Sequence, residues 1–344
     1  MRITTRRGAL VAGAGALTAS LLASCGGGPS ASASSITLYN GQHIQTTEAL
    51  VTAFEKQTGI HVNIRSDDED VFANQIVQEG TRSPADVFYT ENSPALEYLQ
   101  ERGLLAKVAP STLSDVPSKY NSPQGDWVAV TARVSVMIYN TNLLKPDQLP
   151  TSVMQLADPR WRGKLALAPG ETDFQPIVTS IVKSHGTAAA LAWLQAVKTN
   201  AGSHMYTDNE TITTMVNRGQ AAIGIINHYY WYRERYQVGA AQMHSALAYF
   251  APHDPGYIIN VSGAAVLKSS AHQAEAQRFL AFIVSRKGQE IIAHSESYEY
   301  PLGSGVTSAK GLRPFTTLQP APLTIAQLGD GSAAIALLQK VQLL

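Results

Sequence analysis

From residue 35 onward the chain alternates short apolar stretches with stretches of helical period, and a sequence so patterned closes into an open α/β sheet. Residues 35–39 (SITLY) read as a buried strand, residues 49–56 place Leu50, Val51 and Phe54 on one helical face, and residues 61–64 (HVNI) form the next strand. Strand, helix and strand in that order imply parallel pairing with a right-handed crossover. The alternation continues through a helix at 72–79, a strand at 85–89 (ADVFY) and a helix at 95–102 closed by Gly103. Ligands of such sheets sit at the carboxyl ends of strands, so the loops after Tyr39 and Tyr89 are the first places to look for chemistry.

Two stretches rich in β-branched residues, 127–140 (WVAVTARVSVMIYN) and 256–266 (GYIINVSGAAV), are long for strands and widely separated. Strands of that kind suit the passages between two lobes. Between them, strands at 164–168 and 221–226 (AAIGII) and helices at 174–183 and 188–197 outline a second α/β lobe. Further helices are expected at 273–285, 288–294 and 333–341. A length of 344 residues agrees with two cores rather than one.

The first residues read as a targeting segment. Arg2, Arg6 and Arg7 precede an apolar run at 9–23 that is shorter than the roughly 20 residues a spanning helix needs. Arg6-Arg7 resembles a twin-arginine export signal. Leu22-Ala23-Ser24-Cys25, followed by Gly26, resembles a bacterial lipobox, which implies lipidation of Cys25 and a signal peptide at 1–24. The glycine- and serine-rich residues 25–35 read as a tether to the folded body. Cys25 is the only cysteine, so the mature chain has neither a disulfide nor a thiolate metal site. With 26 basic and 26 acidic residues, nothing global draws the protein to nucleic acid or to an anionic membrane, and its specificity has to be local.

Four residues at strand ends suit one metal. His43 follows SITLY, Glu91 follows ADVFY, and Tyr229 and Tyr230 follow AAIGII. Two phenolates, a carboxylate and an imidazole favour a hard, highly charged cation. Phenol has an ordinary pKa near 10, so two tyrosinates at neutral pH require a strong Lewis acid such as Fe3+. Zinc and copper favour His and Cys, while magnesium and calcium favour carboxylate and carbonyl oxygens. Two phenolates and one carboxylate balance three positive charges beside a neutral His43.

The strings ITLYNGQH (36–43), PADVFYTEN (84–92), INHYYWY (226–232), SGAAVLKSS (262–270) and EYPL (299–302) resemble those of the bacterial periplasmic ferric-ion-binding proteins, the bacterial transferrins. The resemblance spans nearly the whole mature chain in the family's order. It implies a two-lobed periplasmic-binding-protein clamshell of type II, α/β with mixed and parallel sheets joined by hinge strands. Residues 36–133 and 262–305 would form the N-terminal lobe, and residues 134–261 and 306–344 the C-terminal lobe. His43 and Glu91 would ligate iron from one lobe, Tyr229 and Tyr230 from the other. The implied partners are a cognate ABC permease and its ATPase, with a monomeric binding protein held at the outer face of the cell membrane by its lipid alone.

Relatives complete the iron with an exogenous anion such as phosphate or carbonate. Asn209 and Asn227 match two asparagines of that anion site, and Asn92 stands where many relatives have glutamine. The family's Ser-Gly-Ala turn, however, reads Glu171-Thr172-Asp173 here. Two carboxylates beside a bound phosphate would oppose it, so Glu171 or Asp173 is expected to replace or weaken the anion. Arg133 matches one arginine of an Arg-x-Arg strand whose second position is Ser135.

His204, His228, His253 and His294 lack metal-ligand spacing and read as surface or core histidines, and Arg233-Glu234-Arg235 as a solvated helix start. There is no Walker loop, GxSxG elbow or HExxH. Two other readings stand beside ferric-iron capture. The same fold could carry a polyamine, thiamine or phosphonate stacked on the twin tyrosines, or a tyrosine-ligated iron could serve an enzyme. The enzyme would need an open metal position and a general base, for which only Glu171 or Asp173 is available.

Overall fold

The computed structural model describes residues 34–303, 305–309 and 311–344. The signal segment at 1–24, Cys25 and all but the last two residues of the expected tether lie outside the described residues. Strands β1 (Ser35–Gly41), β2 (His61–Ser66) and β3 (Val87–Thr90) alternate with helices α1 (Ile44–Thr58), α2 (Glu69–Glu79) and α3 (Ser93–Glu101). The short α4 (Pro110–Ser114) and the long β4 (Val128–Asn140) follow. The middle of the chain gives β5 (Leu165–Ala166), α5 (Gln175–His185), α6 (Thr187–Ala201), α7 (Asn209–Asn217), β6 (Ile223–Asn227), α8 (His228–Val238) and β7 (Ser245–Ala248). The remainder is β8 (Ile259–Val266), α9 (Gln273–Val284), α10 (Arg286–Ala293), β9 (Tyr300–Pro301), α11 (Ile325–Leu328) and α12 (Ser332–Lys340).

The strands run in the order β2-β1-β3-β8-β4-β6-β5, with β7 and β9 also on β4. β1 pairs in parallel with β2 and β3, and β5 in parallel with β6, as the crossover helices between them require. β4 is the element common to both halves. Its first half, through Val134, pairs with β8, whereas Ser135 onward pairs with β6 and then β7. All of its residues are buried, including the polar Thr131, Arg133, Ser135 and Asn140, so it shows no alternation of buried and exposed positions. Arg133 and Ser135 stand on either side of the point where it changes partners.

Core packing follows the predicted helical faces. α1 buries Leu50, Val51 and Phe54, and the Phe54 ring meets Phe279 edge-on at 5.1 Å from α9. α1 ends at Gly59, whose φ of 70° belongs to the left-handed region that glycine enters without steric cost.

Several boundaries differ from the sequence reading. Ser35 belongs to β1 rather than to the tether, because it pairs with His61. β8 begins at Ile259, not at residue 256. A turn held by the Gly256 N–H donating to Asp254 Oδ1 (2.8 Å) precedes it, and Gly256 is pressed so closely on Val153 that no side chain fits there. β5 is only two residues long. Arg233, Glu234 and Arg235 lie in the middle of α8 rather than at its start, since the helix already begins at His228.

Candidate metal centre

Sheet register brings the candidate ligands to one place. Gly41 at the end of β1 lies opposite Thr90 at the end of β3, so the two loops that follow emerge side by side. His43 stands just before α1, and Glu91 two residues before α3. Asn227, the last residue of β6, pairs with Ser135 where β4 changes partners, and Tyr229 and Tyr230 fall in the first turn of α8. Each donor therefore sits near the amino end of a helix, where unpaired N–H groups and the helix dipole favour negative charge on a ligand.

His43 Nδ1 lies 2.9 Å from Glu91 Oε1, and the Tyr229 hydroxyl donates to Glu91 Oε2 at 3.4 Å. The His43 and Tyr229 rings meet edge-on at 5.1 Å, and the Tyr229 and Tyr230 rings are 4.1 Å apart. Thus His43, Glu91 and Tyr229 touch across the two halves, with Tyr230 against Tyr229. The Nε2 atom of His43 is buried and has no hydrogen-bond partner among the described residues. In the neutral form of His43, with Nδ1–H donating to Glu91, that atom carries the free lone pair a metal would take. No group of three or more His, Cys, Asp and Glu side chains is placed to hold a metal among the described residues, so any centre here depends on its tyrosines.

The electrostatics fit a site built for a strong cation. Burial opposes ionisation of Glu91, but His43 outweighs it, with help from Arg133 and Arg233, and brings the carboxyl down to about 2. Burial likewise disfavours a charged His43, yet Glu91 raises its pKa above the ordinary value. Both phenols are pushed well above their usual range, first by burial and then by Asp173 and Glu91. They stay protonated at neutral pH until something strongly positive displaces their protons.

Arg133 ties the site to the partner-changing point of β4. Its guanidinium is fully buried, hydrogen-bonds the Glu91 carbonyl and pairs with the equally buried Glu299, while donating to Asn92 Oδ1 at 3.2 Å. Thr131 Oγ1 (2.9 Å) and Gln42 Nε2 (3.2 Å) also donate to Glu299, and Gln42 Oε1 accepts the His43 backbone N–H at 2.7 Å. Glu299 is a charge partner of this cluster that the sequence reading passed over, although it opens the EYPL string. Glu69 was passed over as well. It is buried, accepts both the backbone and amide N–H groups of Asn92 (2.7 and 3.0 Å), and is raised to about 8 by burial and then by Asp70 and Glu91. Its signal was an acidic run at 67–70 beside a strand end.

The remaining candidates also gather here. Asn209 opens α7 and donates to Asp173 Oδ2 at 3.2 Å. Asn227 Oδ1 accepts from Ser135 Oγ at 3.4 Å, while its amide nitrogen is buried without a partner among the described residues. Asn92 Nδ2 also reaches Thr172 Oγ1 across the cleft at 2.9 Å. Glu171 lines the cleft beside Glu69, Glu91, Glu210 and Tyr230 and is raised to about 8 by burial and then by Asp173. Asp173 is buried and raised to about 6 despite Arg133. His228 lies in the core, stacked on Tyr300 at 4.7 Å and accepting the Val134 N–H, and His204, His253 and His294 lie away from the site.

A two-lobed α/β body whose strand ends converge donors on one cleft defines an extracytoplasmic solute-binding clamshell. The chain belongs to the bacterial extracellular solute-binding proteins, whose family pattern matches residues 82–315. It is 39% identical over 314 residues to the Fe(3+)-binding periplasmic protein of Serratia marcescens, covering 91% of this chain and 92% of that one. Iron-bound HitA from Pseudomonas aeruginosa superposes with a TM-score of 0.85 at 43% identity over 90% of this chain and 99% of its own. The Trichodesmium protein IdiA (FutA), solved with iron and citrate, gives 0.78 at 29% identity over 89% and 99%. These likenesses bear out the type II clamshell expected from the sequence.

Proposed function

We propose that this chain captures ferric iron outside the cytoplasm and delivers it to an ABC permease and ATPase. His43, Glu91, Tyr229 and Tyr230 are its metal ligands, and Cys25 is its lipid attachment. The observation that carries this reading is a pair of adjacent buried phenols at one helix start, touching a His–Glu pair from the other half of the molecule. Residues 36–133 with 262–305 and residues 134–261 with 306–344 act as the two lobes, with β4 and β8 between them. Iron favours the closed arrangement because only closure brings both donor sets to it, and this differential affinity shifts the population toward that state. Among the described residues no helix is long and apolar enough to cross a membrane.

Transport is favoured over catalysis because His43, Glu91 and Tyr229 are packed against one another and the Serratia marcescens relative is a Fe(3+)-binding periplasmic protein. Polyamine, thiamine or phosphonate capture is disfavoured because the Tyr229 ring is fully buried between His43 and Tyr230 and is not free to stack on a ligand. The test is metal analysis and a visible spectrum of the full-length protein. Tyrosinate bound to ferric iron absorbs visible light, so the loaded protein is expected to be coloured, and Tyr229→Phe and Tyr230→Phe each to lose most of the band. A colourless wild type after ferric loading would refute the proposal.

A further inference from the structure

Asp173 is a buried carboxylate beside Tyr230. It lies in a short 3-10 turn, Thr172–Phe174, that leads directly into α5, and is 7% exposed. One carboxylate oxygen accepts the Asn209 amide, whereas the other, Oδ1, is buried and has no hydrogen-bond partner among the described residues. The carboxylate lies beside the Tyr230 hydroxyl, and its negative charge acts together with that of Glu91 on both phenols. A buried, unpartnered carboxylate oxygen is costly unless a cation completes it.

Most of the groups suited to holding a separate anion are engaged. Both hydrogens of the Asn92 amide are committed, to Glu69 Oε1 and Thr172 Oγ1, and the Asn209 amide is spent on Asp173 itself. Arg133 is paired with Glu299. Among these donors the Asn227 amide and Arg133 Nε remain unpartnered, but the Arg133 charge is already balanced by Glu299, and the neutral Asn227 amide does not offset the repulsion between an incoming anion and Asp173.

Building on the ferric reading above, we propose that Asp173 is itself an iron ligand, so that this chain binds uncomplexed iron(III) with protein donors and needs no companion phosphate, carbonate or citrate. On binding, the protons of Tyr229 and Tyr230 pass to solvent as their oxygens bond the metal, and Asp173 Oδ1 supplies a further negative oxygen. The Trichodesmium neighbour, by contrast, was solved with citrate as well as iron.

The test loads full-length metal-free protein with ferrous chloride oxidised in place, in a non-coordinating buffer under carbon-dioxide-free oxygen. Wild type is expected to develop its full visible band without any anion. Added phosphate, carbonate or citrate should leave the band maximum in place and change the iron affinity by less than about twofold. Asp173→Asn, checked for folding by circular dichroism, should bind iron at least roughly tenfold more weakly in that buffer and recover with phosphate or carbonate, its band shifting as the anion enters. Wild-type colour that appears only after an anion is added, or a band that moves with each anion, would overturn the inference whatever the variant does. So would an Asp173→Asn protein indistinguishable from wild type. A wild type colourless under every condition would overturn the iron reading itself, which separates the two failures.

Discussion

Arg133→Met removes the one cation among buried acids while keeping a side chain of similar reach. In the wild type the guanidinium is fully buried and pairs with Glu299, which is 1% exposed. After substitution, Glu299 keeps only the neutral donors Thr131 Oγ1 and Gln42 Nε2, at 2.9 and 3.2 Å. Removing one partner of a buried ion pair typically costs 3–5 kcal/mol, because the surviving charge stays desolvated without compensation. The Glu91 carbonyl also loses a charged donor, worth about 1.5 kcal/mol or more. The metal-free variant should therefore be less stable by about 4 kcal/mol. With a urea slope near 3 kcal/mol/M for a chain of this size, the unfolding midpoint should fall by roughly 1 M. The double variant Arg133→Met/Glu299→Gln removes the stranded charge and should regain about 2–3 kcal/mol of that loss as a coupling energy. A single variant within about 1 kcal/mol of wild type, or a strictly additive cycle, would refute the reasoning.

Two further outcomes follow from the same neighbourhood. Glu69 holds its proton in the folded state up to about pH 8 against 4.5 ordinarily, so the folded protein binds more protons than the unfolded chain between those values. Its contribution is fully present below pH 4.5 and is lost as pH rises through about 8, with a slope of up to about 1.4 kcal/mol per unit; in thermal melts of metal-free protein, Glu69→Gln should flatten that decline, and an unchanged slope would contradict the assignment. A Cβ added at Gly41 would meet Glu69 Cβ at 2.7 Å and its Cα at 2.9 Å; Gly41→Ala should therefore cost about 1–3 kcal/mol in urea unfolding and weaken iron binding by displacing the turn that carries His43.

The sequence alone determined the elements and the donor types. Period-2 and period-3.6 patterns are local, so the β-α-β opening, the long β4 and the helical face of α1 could be read without coordinates. His43, Glu91, Tyr229 and Tyr230 were legible because each directly follows a recognisable strand, and strand ends are where open sheets gather ligands. The start of α8 was misplaced because His228, Tyr229 and Tyr230 show no helical stripe; only the end of β6 at Asn227 fixes where that helix begins. Tertiary structure alone decided the charge partners. Glu299 reaches Arg133 across 166 positions of sequence because β8 and β9 both lie against β4, and no periodicity encodes that meeting. The environment of Asp173 was equally hidden, since the sequence presents it as a turn acid and only the approach of Asn209 on α7 and Tyr230 on α8 surrounds it and leaves one of its oxygens without a partner. Patterning is a property of neighbours along the chain, whereas desolvation and pairing depend on neighbours in space, and the latter set the chemistry of this site.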